Sequence, residues 1–99
     1  MTDPTPDQVD ARQLKVIVFD EDNGETYSIE GEPETTVGFV VDELYGILRR
    51  SRETGDRLWC AANGDSVFAH LTERLEGYRS SHCSALEWRF VGDTGGART

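Results

Sequence analysis

The fold of this chain is decided by residues 14–48, which read LKVIVFDEDNGETYSIEGEPETTVGFVVDELYGIL. Over residues 14–19 and 26–30, every second side chain falls on the same side, which is typical of strands with one buried face. The two segments are joined by residues 20–24, where Asn23-Gly24 supplies the positive φ angles that tight hairpins require. The sequence therefore predicts a β-hairpin.

A helix is predicted directly after the hairpin. Thr36 is a suitable N-cap because its hydroxyl can accept a hydrogen bond from a free backbone N–H of the first turn. Apolar residues then recur at helical spacing: Val37, Val40, Val41, Leu44 and Leu48. Gly38 and Gly46 each cost about 1 kcal/mol relative to alanine, so packing against the hairpin must hold this helix. We expect it to end near residues 49–52.

The remaining elements complete one small domain. We predict a strand over 57–61, an Asn63-Gly64 turn with a short return through 66–68, a helix over 70–80 and a strand over 86–91. This order, β-β-α-β-(β)-α-β, predicts an α+β roll with a mixed sheet and one helix packed across it. The folded domain spans residues 13–91, and the polar segments 1–12 and 92–99 are expected to be flexible tails.

Four segments carry a resemblance to ubiquitin. Residues 25–37 resemble its second strand, the Glu-Pro that follows and the threonine that caps its helix. Val40 and Leu44 match the aliphatic residues that face its core, and residues 57–61, RLWCA, are similar to the Arg-Leu-Ile-Phe-Ala of its third strand. Gly95-Gly96 stands where a ubiquitin-like modifier carries its diglycine. The resemblance implies a ubiquitin-like β-grasp fold.

The resemblance also implies a function. A prokaryotic ubiquitin-like modifier would be processed after Gly96 and joined through its C-terminal carboxylate to amines of target proteins. Its partners would be a processing peptidase, activating and conjugating enzymes, and the targets. The chain itself would be no enzyme and would need no cofactor. Lys15, the single lysine, would be the one side-chain acceptor for chain growth.

Two other functions remain open. One is a non-conjugated ubiquitin-like interaction module of the kind associated with bacterial secretion systems. The other is a sulfur carrier resembling ThiS and MoaD, in which a diglycine normally ends the chain. The three residues that follow Gly96 here argue against the sulfur carrier.

Charge and hydropathy exclude some partners. The formal net charge of −9 repels phosphate backbones and anionic lipids, so we expect neither nucleic-acid nor membrane binding. No apolar run approaches the roughly 20 residues of a membrane-spanning helix, and the acidic N-terminus does not resemble a secretory signal. We therefore expect a cytoplasmic protein. Its arginine-rich, lysine-poor composition fits a GC-rich bacterium.

A partner-binding surface is predicted around Trp59, which occupies the strand position where ubiquitin presents an exposed aliphatic side chain to many partners. Phe90 on the last strand, with Ile17 and Phe19 on the outer face of the first, could extend this surface. A solvent-facing tryptophan is typical of a binding hot spot. The alternative is that segment 69–84 covers these residues and makes them part of the core.

The sequence predicts neither catalytic residues nor a metal site, since it lacks the motifs of hydrolases, metalloproteases and nucleotide-binding loops. The carboxylates of residues 20–22 are expected to form a solvated turn. His70 and His82 have no evident partner in the sequence. Cys60 and Cys83 lie in no metal or redox spacing, so we interpret Cys60 as a small buried hydrophobe and Cys83 as an incidental thiol.

Overall fold

The computed structural model describes residues 13–93. Its elements, in chain order, are β1 Leu14–Asp20, β2 Glu25–Gly31, α1 Val37–Leu48, β3 Arg57–Cys60, a 3₁₀ helix Val67–His70, α2 Leu75–Ser81 and β4 Glu87–Val91. The predicted α+β order is confirmed. The short return strand is not found: Ser66 forms a single bridge with Trp59, and the chain then turns into the 3₁₀ helix.

The four strands form one mixed sheet in the order β2-β1-β4-β3. β1 pairs antiparallel with β2, and β3 pairs antiparallel with β4, while the central pair of β1 and β4 is parallel. A parallel pair needs a long crossover connection, which the segment containing α1 and β3 provides. With α1 packed across one face, this is the predicted β-grasp arrangement.

The hairpin turn is built differently from the prediction. Gly24 has a φ of 77°, whereas Asn23 is not among the residues with positive φ in the described chain. The side chain of Asn23 instead accepts a hydrogen bond from the Glu25 N–H at 2.8 Å, and Asp20 accepts one from the Asp22 N–H at 2.9 Å. One left-handed residue is enough because the loop is longer than two residues.

Helix α1 begins as predicted, with the Thr36 hydroxyl accepting from the Phe39 N–H at 3.2 Å. Tyr45 takes the place of Leu48 in its buried face, since Leu48 is only half-buried; the buried residues are Val37, Val40, Val41, Leu44 and Tyr45. Gly38 allows a close approach: its N–H donates to the Leu71 carbonyl at 2.8 Å, and a Cβ at this position would lie 3.0 Å from that oxygen.

The helix predicted over 70–80 begins only at Leu75. The preceding residues bond to the start of α1 instead: the Val37 N–H donates to the Glu73 carbonyl, and the Leu75 N–H donates to the Thr35 carbonyl, each at 2.8 Å. These contacts hold Arg74 in an extended conformation bridged to Thr36, so the helix begins at Leu75. Leu75 and Tyr78 then enter the core, where Tyr78 packs edge-on against Trp88 with ring centroids 6.0 Å apart.

Cys60 and Cys83 form a disulfide, with their Cα atoms 5.9 Å apart. The interpretation of these residues as a core hydrophobe and an incidental thiol is therefore corrected. Their separation of 23 positions gave no sign of pairing, because the contact exists only once the end of α2 reaches β3. Within residues 13–93, no helix is long and apolar enough to cross a lipid bilayer.

Candidate functional site

The outer face of the sheet, opposite α1, carries a row of three large side chains. The parallel register of β1 and β4 places Phe19 beside Arg89, and the antiparallel register of β3 and β4 places Trp59 on the other side of Arg89. Neighbouring strands lie about 4.8 Å apart, so the three residues span roughly 10 Å across the sheet. We call Phe19, Arg89 and Trp59 the outer row.

Arginines cover the aromatic rings of this face. The Arg89 guanidinium lies 5.2 Å from the Phe19 ring centroid and donates to Glu21 at 2.6 Å, while Arg57 lies 5.2 Å from the Trp59 ring. The aliphatic stems of arginines shield apolar surface while their charged heads stay in water. This accounts for the half-buried state of Phe19 and Trp59. The outer row therefore combines apolar area with positive charge on a chain of net charge −9.

The structure brings together three of the four residues predicted for partner binding. Ile17, Phe19 and Trp59 are half-buried on the outer face. The predicted place of Phe90 in the binding surface is corrected. Phe90 is 1% exposed and packs edge-on against Tyr45 of α1, with ring centroids 5.8 Å apart. Strand alternation explains this, because Phe90 follows Arg89 and must point to the opposite face.

Phe90 is the one residue of the predicted surface that belongs to the core, and it packs against Tyr45 of α1, an element outside segment 69–84. Segment 69–84 packs on the inner side of the sheet, where Tyr78 meets Trp88, and does not lie over the outer row. Lys15, the predicted acceptor lysine, is exposed at the start of β1, and its place on that strand puts it on the same outer face.

The predicted conjugation residues Gly95 and Gly96 lie outside the described residues, as does most of the predicted C-terminal tail. The first two residues of that tail are held by the domain. The Gly92 N–H donates to an Asp22 carboxylate oxygen at 2.8 Å, and the Asp93 N–H donates to Asp56 at 2.6 Å. A Cβ on Gly92 would overlap the guanidinium of Arg50. The chain therefore leaves the domain from a fixed point.

Asp56 is the centre of this anchor. One of its oxygens accepts from Arg50 at 3.0 Å and from the Asp93 N–H, and the other accepts from the Tyr45 hydroxyl at 2.5 Å and the Glu53 N–H at 2.9 Å. We call these five groups the Asp56 network. The Asp56 side chain is 0% exposed, so its charge depends on these donors.

Burial and hydrogen bonding act in opposite directions on Asp56. Burial by itself raises the pKa of this carboxyl group, but the donors from Glu53, Tyr45 and Asp93 and the charge of Arg50 outweigh it and hold the pKa below its usual value. Burial and the neighbouring Asp56 raise the pKa of Tyr45, which keeps its hydroxyl protonated as a donor. In the Asp56 network, the anion is the buried Asp56 carboxylate itself, and both of its oxygens accept hydrogen bonds.

A second polar group, missed by the sequence analysis, gathers both histidines of the chain. The rings of His70 and His82 stack with centroids 3.7 Å apart and an interplanar angle of 22°. His70 contacts Asp65 through Nε2 at 2.7 Å and Glu73 through Nδ1 at 2.9 Å, and His82 Nε2 lies 3.3 Å from Glu73. We call Asp65, His70, Glu73 and His82 the histidine cluster.

The histidine cluster is partly exposed, unlike the Asp56 network. The His70 side chain is 14% exposed and that of His82 is 29% exposed. Burial by itself lowers the pKa of His70, but hydrogen bonds to Glu73 and Asp65 outweigh it and raise the pKa above its usual value. Tyr78 lies behind both rings, and burial raises its pKa to about 12. Among residues 13–93, Asp65, His70 and His82 form a group that could hold a metal ion.

Comparison with known proteins identifies the fold. No protein-family model matches the chain, and no curated protein matches its sequence. The solution structure of the UBL domain of yeast Ddi1 is similar with a TM-score of 0.63 at 18% identity, covering 83% of this chain and 91% of that one. A de novo design based on ubiquitin has a TM-score of 0.59 at 17% identity, covering 89% and 98%. The chain is therefore a ubiquitin-like protein in its fold, as residues 25–37 and 57–61 predicted.

Proposed function

We propose that this chain is a ubiquitin-like protein-interaction module that binds a partner protein through its outer row. The observation that carries the proposal is the side-by-side placement of Phe19, Arg89 and Trp59 on the sheet face opposite α1. Tryptophan and arginine are the residue types most enriched at binding hot spots. The module acts by binding and performs no catalysis itself.

The chemistry of the outer face indicates the class of partner. Arg57 and Arg89 flank aromatic rings, and Lys15 lies on the same face, while the chain as a whole is acidic. A protein surface that offers an apolar side chain beside a carboxylate would satisfy both features. Nucleic acids and anionic membranes fit less well, because the net charge of −9 repels them at a distance.

A matched pair of substitutions tests this proposal. Trp59→Ala removes the ring of the outer row, and Phe39→Ala removes an aromatic ring on α1 that is 54% exposed and lies away from the sheet face. Each immobilised variant is incubated with an extract of the source organism, and bound proteins are quantified by mass spectrometry. We expect at least one protein to be depleted tenfold or more by Trp59→Ala and retained by Phe39→Ala. Equal retention by both variants would contradict the proposal.

A second candidate function is that of a prokaryotic modifier processed after Gly96 and joined to target amines. Its support is the Asp56 network, which fixes Asp93 two residues before Gly95. Glycines at a carboxyl terminus that enters an enzyme channel impose no Cβ there. The required partners are a processing peptidase, activating and conjugating enzymes, and target proteins, with Lys15 as the side-chain acceptor for any chain growth. The sulfur-carrier function gains no support from the described residues.

The disulfide bears on the choice between the two functions. Structural disulfides persist in oxidising compartments and are rare in the cytosol, where ATP-dependent conjugation would take place. The Cys60–Cys83 pair therefore favours the interaction module over the modifier and weighs against the predicted cytoplasmic location. Gene neighbours provide an independent criterion: secretion ATPases favour the module, and an activating enzyme with a peptidase favours the modifier.

The modifier function has its own test. Wild-type protein, Gly96→Ala and the control Gly46→Ala, whose added Cβ meets only open space, are incubated with ATP and extract. The modifier function requires loss of residues 97–99 and a covalent mass shift on a target, both abolished in Gly96→Ala and kept in Gly46→Ala. A Gly96→Ala variant that behaves like wild type removes this function and leaves the interaction module.

A further inference from the structure

We propose that the histidine cluster is a binding site for a divalent transition-metal ion of the Zn²⁺ class, with Asp65, His70 and His82 as ligands and Glu73 as the residue that orients His70. Three regions converge here: the turn after β3, the 3₁₀ helix with the turn that follows it, and the C-terminal end of α2. The proposal is independent of the proposed function, because the site lies outside the outer row.

Glu73 contacts both imidazoles and can hold His70 in the tautomer that a metal requires. Its Oε2 is 2.9 Å from His70 Nδ1 and can accept the ring N–H there, while its Oε1 makes an ion-pair contact of 3.3 Å with His82 Nε2. A carboxylate that accepts the second N–H of a metal-bound histidine is the usual partner that fixes the ring and strengthens the ligand. Glu73 occupies one nitrogen of each ring, and the remaining nitrogens are His70 Nε2 and His82 Nδ1.

Both remaining nitrogens face Asp65. Its Oδ2 lies 2.7 Å from His70 Nε2 and 3.9 Å from His82 Nδ1. A protonated His70 donates from Nε2 to this oxygen, and a metal ion that replaces that proton would bind the same nitrogen and the same oxygen. Among the ion pairs of residues 13–93, Asp65 and Glu73 have histidines as their only cationic partners. The cluster is therefore short of positive charge, which a metal ion would supply.

The donor set and spacing suit zinc. Two imidazole nitrogens and one carboxylate oxygen are typical zinc ligands, and a fourth position would remain for water. The three ligand atoms lie within 4.8 Å of one another. Tetrahedral bonds of about 2.0 to 2.1 Å place ligand atoms about 3.3 Å apart. Asp65 Oδ2 and His70 Nε2 must therefore separate by roughly 0.6 Å, and His82 Nδ1 must approach Asp65 Oδ2 by a similar distance.

His82 is the ligand that adjusts. A metal ion lies near the plane of each imidazole that binds it, so two rings only 22° from parallel cannot both serve one ion without a turn. The 29% exposure of His82 leaves room for this turn. Its backbone stays in place, because the Asn63 side chain donates to the His82 carbonyl at 2.8 Å and the next residue, Cys83, is tied to Cys60.

Zn²⁺ titration of the oxidised full-length chain, followed by calorimetry, tests the proposal. We expect one equivalent to bind, His82→Gln to weaken binding at least tenfold, and Glu73→Gln to weaken it less. Asp42→Asn, which removes an exposed carboxylate of α1, is the control and should leave affinity unchanged. Keeping the disulfide intact excludes binding by free thiols.

A second measurement identifies the ligands directly. The ¹⁵N resonances of both imidazoles should shift on adding Zn²⁺, and Co²⁺ should give the visible absorption of a tetrahedral site, lost in His82→Gln. Unchanged ¹⁵N resonances on adding Zn²⁺, with a response to pH alone, would mean that a proton supplies the missing charge and would overturn the proposal. Equal affinity in wild type and His82→Gln would overturn it as well.

Discussion

The Asp56 network and the histidine cluster are both groups of charged side chains packed beside the same core, yet they differ in how their hydrogen-bonding capacity is met. In the network, four donors surround one buried carboxylate. In the cluster, two carboxylates contact two imidazoles, and neither carboxylate has an arginine or lysine partner among the ion pairs of residues 13–93. The first arrangement is complete by itself and serves the structure. The second lacks positive charge, which is the condition under which a site accepts a cation.

Breaking the Asp56 network should have the largest effect. Asp56→Ala leaves the Tyr45 hydroxyl, the Arg50 guanidinium and two backbone N–H groups without their acceptor. Removing one partner of a buried ionic network typically costs about 3–5 kcal/mol of unfolding free energy. Urea denaturation measures the loss, with Asp42→Ala on the exposed side of α1 as the control. A loss no larger than that of the control would show that the network is dispensable.

Reducing the Cys60–Cys83 disulfide should have the next largest effect on stability, and it should disturb the histidine cluster rather than the Asp56 network. Opening a loop of 23 positions removes about 3 kcal/mol of stability in the chain-entropy model. Cys83 follows His82 directly, so the imidazole resonances should move on reduction while those of Tyr45 stay. Denaturation with and without reductant measures the first effect. An unchanged denaturation midpoint would contradict the prediction.

These two regions also mark the limit of what the sequence could predict. The two hairpin strands and four of the five residues predicted for the buried face of α1 follow from local periodicity, the Thr36 cap follows from its residue type, and all of these were confirmed. The pairings of Cys60 with Cys83 and of His70 with His82 are invisible locally, because they arise only when α2 returns to β3. No pattern in the chain marks such contacts.

Phe90 illustrates a second limit. Alternation correctly groups Trp88 with Phe90 on one face of β4, but period-two spacing does not tell which face is buried. The position of α1 decides this, and it places Tyr45 against Phe90. The outer row was therefore predicted in part, through Phe19 and Trp59, while its central residue Arg89 emerged only from the strand register.

Tyr45→Phe probes the Asp56 network more finely, since it removes one hydroxyl and keeps the ring that packs on Phe90. A hydrogen bond to a charged group contributes about 2 kcal/mol, so we expect a loss of that size at neutral pH. Because the folded pKa of Asp56 is lowered, the stability it contributes is present above its unfolded pKa of about 3.9 and is lost as pH falls through the folded pKa.

The pH profile of unfolding free energy separates this role from a loss of packing. The difference in unfolding free energy between wild type and Tyr45→Phe should shrink as the pH falls below about 3.9 and through the folded pKa of Asp56. The reason is that protonated Asp56 no longer accepts a charge-assisted hydrogen bond. A difference that stays constant down to pH 2 would mean that the hydroxyl acts independently of the charge on Asp56.

The smallest effect should come from His82→Gln in the presence of a chelator. His82 is 29% exposed, and its contacts with Glu73 and Asp65 are 3.3 and 3.9 Å long, so it contributes little ion-pair energy against water. We expect a loss below about 1 kcal/mol, measured by the same urea denaturation as Asp56→Ala. A loss as large as that of Asp56→Ala would make the histidine cluster a structural network like the other one. A small loss that grows when Zn²⁺ is present would show instead that the ion stabilises the histidine cluster. The Asp56 network, by contrast, is stabilised by its own hydrogen-bond donors.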